Sequence, residues 1–228
     1  MPTADATLQI LSRLPLFQAL SSEQLQTIRG HVLEKRLAKG EFLFQKGDPV
    51  TGFYIVVHGQ VKLAIPSPQG LEKVVEIIGP RQSLGEAVMF LGRPYPVAAQ
   101  ALADTLLLRI GHSAVDRLLE NDVSFARRML AGLSMRLHAL IQDVESYSLR
   151  SSTQRVIGYL LQYCLEDSGD VEQAVALPTA KHVIASLLNL TPETLSRIFQ
   201  DLARAGLIEV QGRTIVIPSV RRLREFEP

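Results

Sequence analysis

Apolar positions change period along this chain, and each change marks a different element. Residues 8–30 show the spacing of short helices. In "FQALSSEQLQTI", Ser21 suits an N-cap and Gln24, three residues on, closes a capping box. From about Val32 to Ile110 the texture becomes β-rich: "EFLFQ", "GFYIVV", "VKLAI", "KVVEII" and "TLLLRI" alternate with turn signals at "KGD" with Pro49, His58-Gly59, 66–70 and 79–80. Many short strands at regular spacing predict a β-barrel or jelly roll holding one small core.

A helical period then takes over without a break. From Val123 a heptad places Val123, Leu130, Leu137 and Val144 at a, and Ala126, Leu133, Leu140 and Tyr147 at d. That pattern predicts a parallel two-chain seam along a helix roughly 40 Å long. The competing reading is a helix buried against its own barrel, a task that suits Met129 and Ile141 off the seam. After "RSSTQ", the run "VIGYLLQYCL" predicts an amphipathic helix, followed by an acidic loop, "EDSGDVEQ".

Residues 179–217 carry the most informative spacing. Two helices crossing at a tight corner need a small residue at the crossing and, four positions later, a turn residue tolerant of positive φ. Ala185 and Asn189 supply them. Ile184, Leu188, Leu190, Leu195 and Ile198 fall where the shared core requires apolar side chains. Thr191 reads as N-cap, Pro192 as the first helical residue and Gly206 as the C′ stop. This is a helix-turn-helix, and "LIEVQGRTIVI" adds a β-hairpin wing.

The second helix begins by presenting Glu193, Ser196 and Arg197 on one face. In this motif the helix N-terminus enters the major groove, where Arg bonds guanine, Glu accepts from cytosine and Ser adapts. Glu193 and Arg197 could instead form only an i,i+4 surface pair. Thr191, Lys181 and Arg213 are candidate phosphate contacts, with a solvated surface charge as the alternative for the two cations. The fold class is therefore α+β, divided as 1–121 (helices and barrel), 122–149 (dimerisation helix) and 150–228 (winged helix-turn-helix).

Composition adjusts this picture in a few places. With 24 basic and 23 acidic residues the net charge is +1, so DNA binding must rest on locally placed cations. The single cysteine, Cys164, permits no intrachain disulfide and no four-thiolate iron–sulfur cluster, and suits a reducing cytoplasm. Among Leu160, Leu161 and Leu165 it reads as a core residue rather than a sensor thiol. No signal-peptide pattern and no run of about 18 apolar residues is present, so the expected location is cytoplasmic, away from membranes.

These residues resemble the Crp/Fnr superfamily of transcription regulators. "GFYIVVHGQVKLAI" is similar to the family's hairpin signature in its cyclic-nucleotide-binding-like barrel, and "SLGEAVMFLGRPYPVAAQA" to its ligand-pocket segment. "LTPETLSR" matches Glu-x-x-Ser-Arg on the Fnr-like side, and within it the chain resembles the Dnr/NnrR branch of nitric-oxide-responsive denitrification regulators. The resemblance implies a homodimeric activator with double-stranded DNA and RNA polymerase as partners. It also implies an inverted repeat of the form TTGAT…ATCAA, and an effector region around Gly85, Glu86, Met89 and Tyr95.

The departures narrow the effector. Cyclic-nucleotide-binding members follow Gly-Glu with Arg-Ser or Arg-Ala, whose guanidinium clamps the phosphate. Here Gly85-Glu86 is followed by Tyr95-Pro96-Val97, and Arg93 is displaced. Cyclic AMP is therefore not the expected ligand, and the cysteine cluster of oxygen-sensing Fnr is lacking. Haem, another small molecule or no ligand remain. A haem needs an axial ligand. His58 and His182 read as surface residues and His138 lies at heptad position b, whereas His31 and His112 flank the barrel. Pro2, exposed as a new N-terminus after methionine removal, is a further option by resemblance. No metal ligand set is identified. Two alternatives stand beside an effector-controlled regulator: a DNA-binding protein without an effector, and a cupin-type metalloenzyme fused to a reader. The latter would need clustered His and carboxylate ligands.

Overall fold

A computed structural model describes residues 4–14, 17, 20–67, 72–148, 151–164 and 171–226, with side chains outside 4–6, 136 and 139–148. The chain divides into two compact units, Met1–Gln142 and Asp143–Pro228.

The first unit opens with α1 (Ala4–Ser12) and α2 (Ser22–Arg29) and continues through β1 (Val32–Leu37), β2 (Phe42–Phe44), β3 (Gly52–His58), β4 (Val61–Pro66), β5 (Glu72–Ile78) and β6 (Ser83–Leu84). Then come α3 (Glu86–Leu91), β7 (Ala98–Ala101), β8 (Thr105–Gly111), α4 (His112–Asn121) and α5 (Val123–Ser148), whose residues from Asp143 on are counted with the second unit. The strands form two antiparallel four-stranded sheets, ordered β1-β8-β3-β6 and β2-β7-β4-β5. This is the expected jelly-roll sandwich.

The expectation of one small core needs correction, because this unit holds two. On β3, Tyr54 and Val56 face the sandwich interior with Phe44, Ile78 and Leu107. Phe53 and Ile55 point the other way, into a second cluster with Leu11, Leu14, Phe17, Ile28, Phe125 and Met129 from the helices. A strand buried on both faces reads as an unbroken apolar run, which hides the second layer from an alternation argument. Gly59 turns the β3–β4 hairpin at φ +84°; a Cβ there would lie 2.5 Å from the Asp104 carbonyl oxygen. Only glycine fits that turn.

Two helix starts meet in this unit. Ser21 and Gln24 form the expected capping box of α2. The Asp122 carboxylate accepts from the backbone N–H groups of Ser124 (2.9 Å) and Phe125 (3.1 Å), capping α5. The Gln24 carboxamide links the two, donating to the Asp122 carboxylate and to Ser124 Oγ.

Both readings of the long helix find residues to support them. Phe125 and Met129 are buried against the sandwich side and Leu133 packs partly there. Val123, Leu130 and Leu137, the a positions, are 70%, 64% and 59% exposed. Ala126 is half-buried, and the side chains of Leu140, Ile141, Val144 and Tyr147 lie outside the described residues. The segment set apart at 122–149 thus shares a core with the first unit over its N-terminal half.

The second unit comprises α6 (Ser152–Leu161), β9 (Gln173–Ala176), α7 (Lys181–Leu187), α8 (Pro192–Arg204), β10 (Glu209–Gln211), β11 (Thr214–Ile217) and α9 (Val220–Arg224), around a single apolar core. Two expectations shift here. Helix α6 begins four residues before Val156, because Ser151 and Gln154 form a second capping box. The wing is a three-stranded sheet, β10-β11-β9, since residues 173–176 pair with β11 across a long sequence gap. Of the acidic loop, 165–170 lie outside the described residues. Cys164 follows α6, half-buried, with its thiol against the Leu160 carbonyl oxygen at 3.6 Å. Burial pushes that thiol's pKa up, partly offset by the Arg224 charge.

Candidate nucleic-acid interface and effector region

The corner between α7 and α8 is built as its residues demand. Ala185 is fully buried at the crossing, and Asn189 adopts φ +56°. The Leu190 N–H donates to the Ala185 carbonyl at 2.8 Å, locking the turn. Thr191 caps α8 by accepting from the Thr194 N–H at 3.2 Å, and Pro192 takes the first turn, where no N–H is needed. At the other end Gly206 sits at φ +65°, and the Leu207 N–H reaches the Leu202 carbonyl at 3.0 Å, a Schellman-type stop.

Helix α8 is strongly two-faced. Leu195, Ile198, Phe199 and Leu202 are buried, whereas Glu193, Ser196 and Arg197 are exposed together in its first turns. Ser196 Oγ donates to the Pro192 carbonyl at 2.8 Å, which leaves its lone pairs outward. The Glu193 carboxylate turns back to its own backbone N–H and to the Thr191 hydroxyl, and these bonds hold its pKa below the usual carboxylate value. It is therefore engaged at the helix start rather than folded along the helix onto Arg197. The exposed Arg197 guanidinium and an ionised Glu193 share the surface that a groove would meet.

The candidate phosphate contacts are more constrained. Lys181 Nζ lies 5.5 Å from the Phe199 ring centroid, a cation–π arrangement. Arg213, beside the wing turn at Gly212 (φ +64°), donates to the Leu177 carbonyl at 3.1 Å and so ties the wing to the segment after β9. Each cation keeps an intramolecular partner while staying near the surface. Arg221, Arg222 and Arg224 on α9 form a further basic group that periodicity does not single out. Its signal is Ser219, an N-cap ahead of "VRRLR", too short to read as a helix.

In the first unit, Gly85 takes φ +91° just before α3 and lies against Tyr95, whose ring carbon would sit 3.4 Å from a Cβ at that position. Glu86 and Met89 are buried beside it, Met89 within the helix-side cluster. Tyr95 is buried, stacks on Phe44 with centroids 3.5 Å apart, and donates its hydroxyl to the Gly52 carbonyl at 3.1 Å. Desolvation is the main reason its phenol is held well above the ordinary pKa of 10.0. Phe44 and Gly52, 40 or more residues away, are partners that no local pattern indicates. Among the described residues no group of three or more His, Cys, Asp or Glu side chains is placed to hold a metal ion.

Comparison with known proteins agrees with both units. Residues 34–122 match the model of the cyclic nucleotide-binding domain, and residues 154–226 that of the Crp-like helix-turn-helix domain. The crystal structure of DNR from Pseudomonas aeruginosa is 37% identical, covers 96% of both chains and has a TM-score of 0.55. The chain belongs to the Crp/Fnr superfamily of transcription regulators. A Dnr-like branch fits that similarity. Another member, the transcriptional activator protein anr of Pseudomonas aeruginosa, is 28% identical over 95% of this chain and 90% of its own. The CRP-like cAMP-activated global transcriptional regulator of Mycobacterium tuberculosis is 23% identical over 94% of this chain and 97% of its own. Crp/Fnr members are DNA-binding regulators and not enzymes, which removes the cupin alternative. Among the described residues, no helix is long and apolar enough to cross a membrane.

Proposed function

We propose that this Crp/Fnr regulator is an effector-controlled homodimer that reads a TTGAT…ATCAA inverted repeat. Its signal, on this reading, is something other than a cyclic nucleotide. The observation that carries the first part is the joint exposure of Glu193, Ser196 and Arg197 on the N-terminal turns of α8. The same face that leaves the protein core offers a guanine donor and a cytosine acceptor. A dimer places two such faces on two half-sites, and the exposed Val123, Leu130 and Leu137 supply the apolar stripe for it. DNA binding recruits or blocks RNA polymerase, the partner expected for the family.

The second part rests on Tyr95. On the resemblance, the stretch Tyr95-Pro96-Val97 corresponds to the place where nucleotide-binding members carry a phosphate-clamping Arg, and Tyr95, stacked on Phe44, offers no cation to a phosphate. Nitric oxide sensed through haem is the signal proposed from the Dnr-like resemblance. Of the two histidines flanking the sandwich, His31 lies 3.2 Å from the Arg117 guanidinium, a poor setting for a cationic iron. His112 has Nδ1 2.7 Å from an Asp116 carboxylate oxygen, which leaves Nε2 for a metal and suits the usual carboxylate–histidine support of a ligand. A bound haem would supply the iron that takes up nitric oxide; His112 would hold it. Operator affinity measured with and without haem and nitric oxide tests the proposal. A rise of tenfold or more only with both, lost in His112→Ala, agrees with it. Equal affinity in every state would identify a regulator without an effector, a reading that the Tyr95–Phe44 filling of the sandwich also favours. Failure to select TTGAT…ATCAA over scrambled DNA would overturn the site.

A further inference from the structure

Helix α6 carries a stripe at Gln154, Ile157, Gly158 and Leu161, spaced i, i+3, i+4 and i+7, so all four share one face. That face packs against the end of α9, which is only five residues long. Gly158 brings no side chain to the middle of the stripe. The result is a cavity of about 280 Å³ in the second unit, lined by these four residues with Arg224, Glu225 and Phe226.

Its lining is divided in a way that specifies a ligand. Ile157 is buried, and Leu161 and Phe226 pack partly into the unit's core, so one side is apolar. The other side is polar and not electrically neutral. Glu225 is 3.6 Å from Arg221 on α9, which compensates its charge. Among the described residues Arg224 makes no ion pair, and its field reaches the Cys164 thiol. Gln154 uses its carbonyl oxygen to accept from the Ser151 N–H at 2.9 Å, which leaves its amide NH₂ to donate. A guanidinium and an amide donor beside an apolar wall complement a carboxylate with a hydrocarbon body.

We propose that this cavity binds a small monocarboxylate with an apolar tail, of roughly ten non-hydrogen atoms. Arg224 and Gln154 hold the carboxylate, and the tail lies over Gly158 against Ile157, Leu161 and Phe226. The site places a small-molecule input in the DNA-reading unit, independent of whatever enters the sandwich and of the operator sequence. It fastens α9 to α6, so ligand stabilises this unit by mass action.

Calorimetric titration of the full-length protein with octanoate, and with octanol as the uncharged counterpart, tests the site. Octanoate should bind saturably with a dissociation constant on the order of 1 mM or tighter, as its size allows, and octanol at least tenfold more weakly. Arg224→Gln should weaken octanoate at least tenfold without changing octanol. Gly158→Leu fills the hollow and should abolish both; if it does not fold, Gly158→Ala, a helix-favouring change, should weaken both together. Octanoate binding unchanged in Arg224→Gln, octanol binding as tightly as octanoate, or no saturation by 10-fold above that constant (~10 mM,) would each overturn the proposal.

Discussion

Tyr95 and Phe44 stack face to face, with ring centroids 3.5 Å apart and planes 4° from parallel. Both rings are buried in the sandwich, and the Tyr95 hydroxyl is satisfied by the Gly52 carbonyl. Phe44→Ala would leave a ring-sized void and should cost about 3–5 kcal/mol, whereas Tyr95→Phe removes one hydrogen bond and should cost about 1 kcal/mol. Urea unfolding of the three proteins checks that order. On the same grounds cyclic AMP should give no saturable heat with the wild type. A micromolar dissociation constant would mean that Tyr95-Pro96-Val97 does not correspond to the phosphate-clamping segment.

Arg197→Ala removes a proposed bidentate guanine contact and should cost about 1–3 kcal/mol per half-site. Discrimination at that base should relax, with the salt dependence of binding nearly unchanged. Glu193→Ala should relax a neighbouring position, because the carboxylate proposed to accept from cytosine is gone. Arg213→Ala should behave oppositely, weakening every sequence and reducing the log–log salt slope by about one per contact. The Leu177 tie adds a second consequence: the wing should loosen, visible as faster amide exchange in β11. Titrations on TTGAT…ATCAA and its single-base variants at several salt concentrations separate these outcomes. Equal weakening of all sites by Arg197→Ala, together with a flatter salt slope, would make Arg197 a phosphate contact.

The reader was legible in the sequence because its geometry is local. Ala185, Asn189, Thr191 and Pro192 fall within eight consecutive positions, and each has a backbone or packing reason to be there. The Ser21–Gln24 box was legible for the same reason, and the equivalent Ser151–Gln154 box carries the same local signal just ahead of the apolar run of α6. The partners of Tyr95, Gln24 and Arg213 were not legible. They lie 36 to 104 residues away, and hydrophobic periodicity reports which face is buried without reporting against what. Helix α5 shows this limit best: one heptad contains both Leu130, which faces solvent, and Leu133, which packs on its own unit.

That division makes the dimer testable at single positions. Leu137→Asp places a charge on an exposed surface of the protomer, so the fold should hold while association fails, because a dimer would bury the unpaired charge. Leu133→Asp should in addition destabilise the protomer by about 2–3 kcal/mol through its contact with the helix-side core. Sedimentation reads the first effect and thermal unfolding the second. A Leu137→Asp protein that remains dimeric would remove the a-position stripe from the interface.

Asp122 connects pH to the junction between α2 and α5. Bonds from the Ser124 hydroxyl, the Gln24 carboxamide and the Phe125 N–H lower its pKa from 3.8 to about 2. A carboxyl whose folded pKa is depressed contributes stability that is fully present above its unfolded value and is lost as pH falls through the folded one. Asp122 should therefore support the fold above about pH 4 and cease to do so near pH 2. Above that window, the ionised carboxylate accepts from two α5 N–H groups and from Gln24, which itself caps α2. Protonation weakens the cap of α5 and the link to α2 together. Asp122→Asn keeps an acceptor but cannot ionise, so its unfolding free energy should be lower than wild type at pH 6, and the gap should close as the pH approaches about 2. Gln24→Ala should reduce the gap from the other side, since it removes one of the bonds that depress the pKa. Urea denaturation of the three proteins at intervals from neutral pH downward gives the curves. Parallel wild-type and Asp122→Asn curves across the whole acid range would show that the Asp122 charge does not hold this junction.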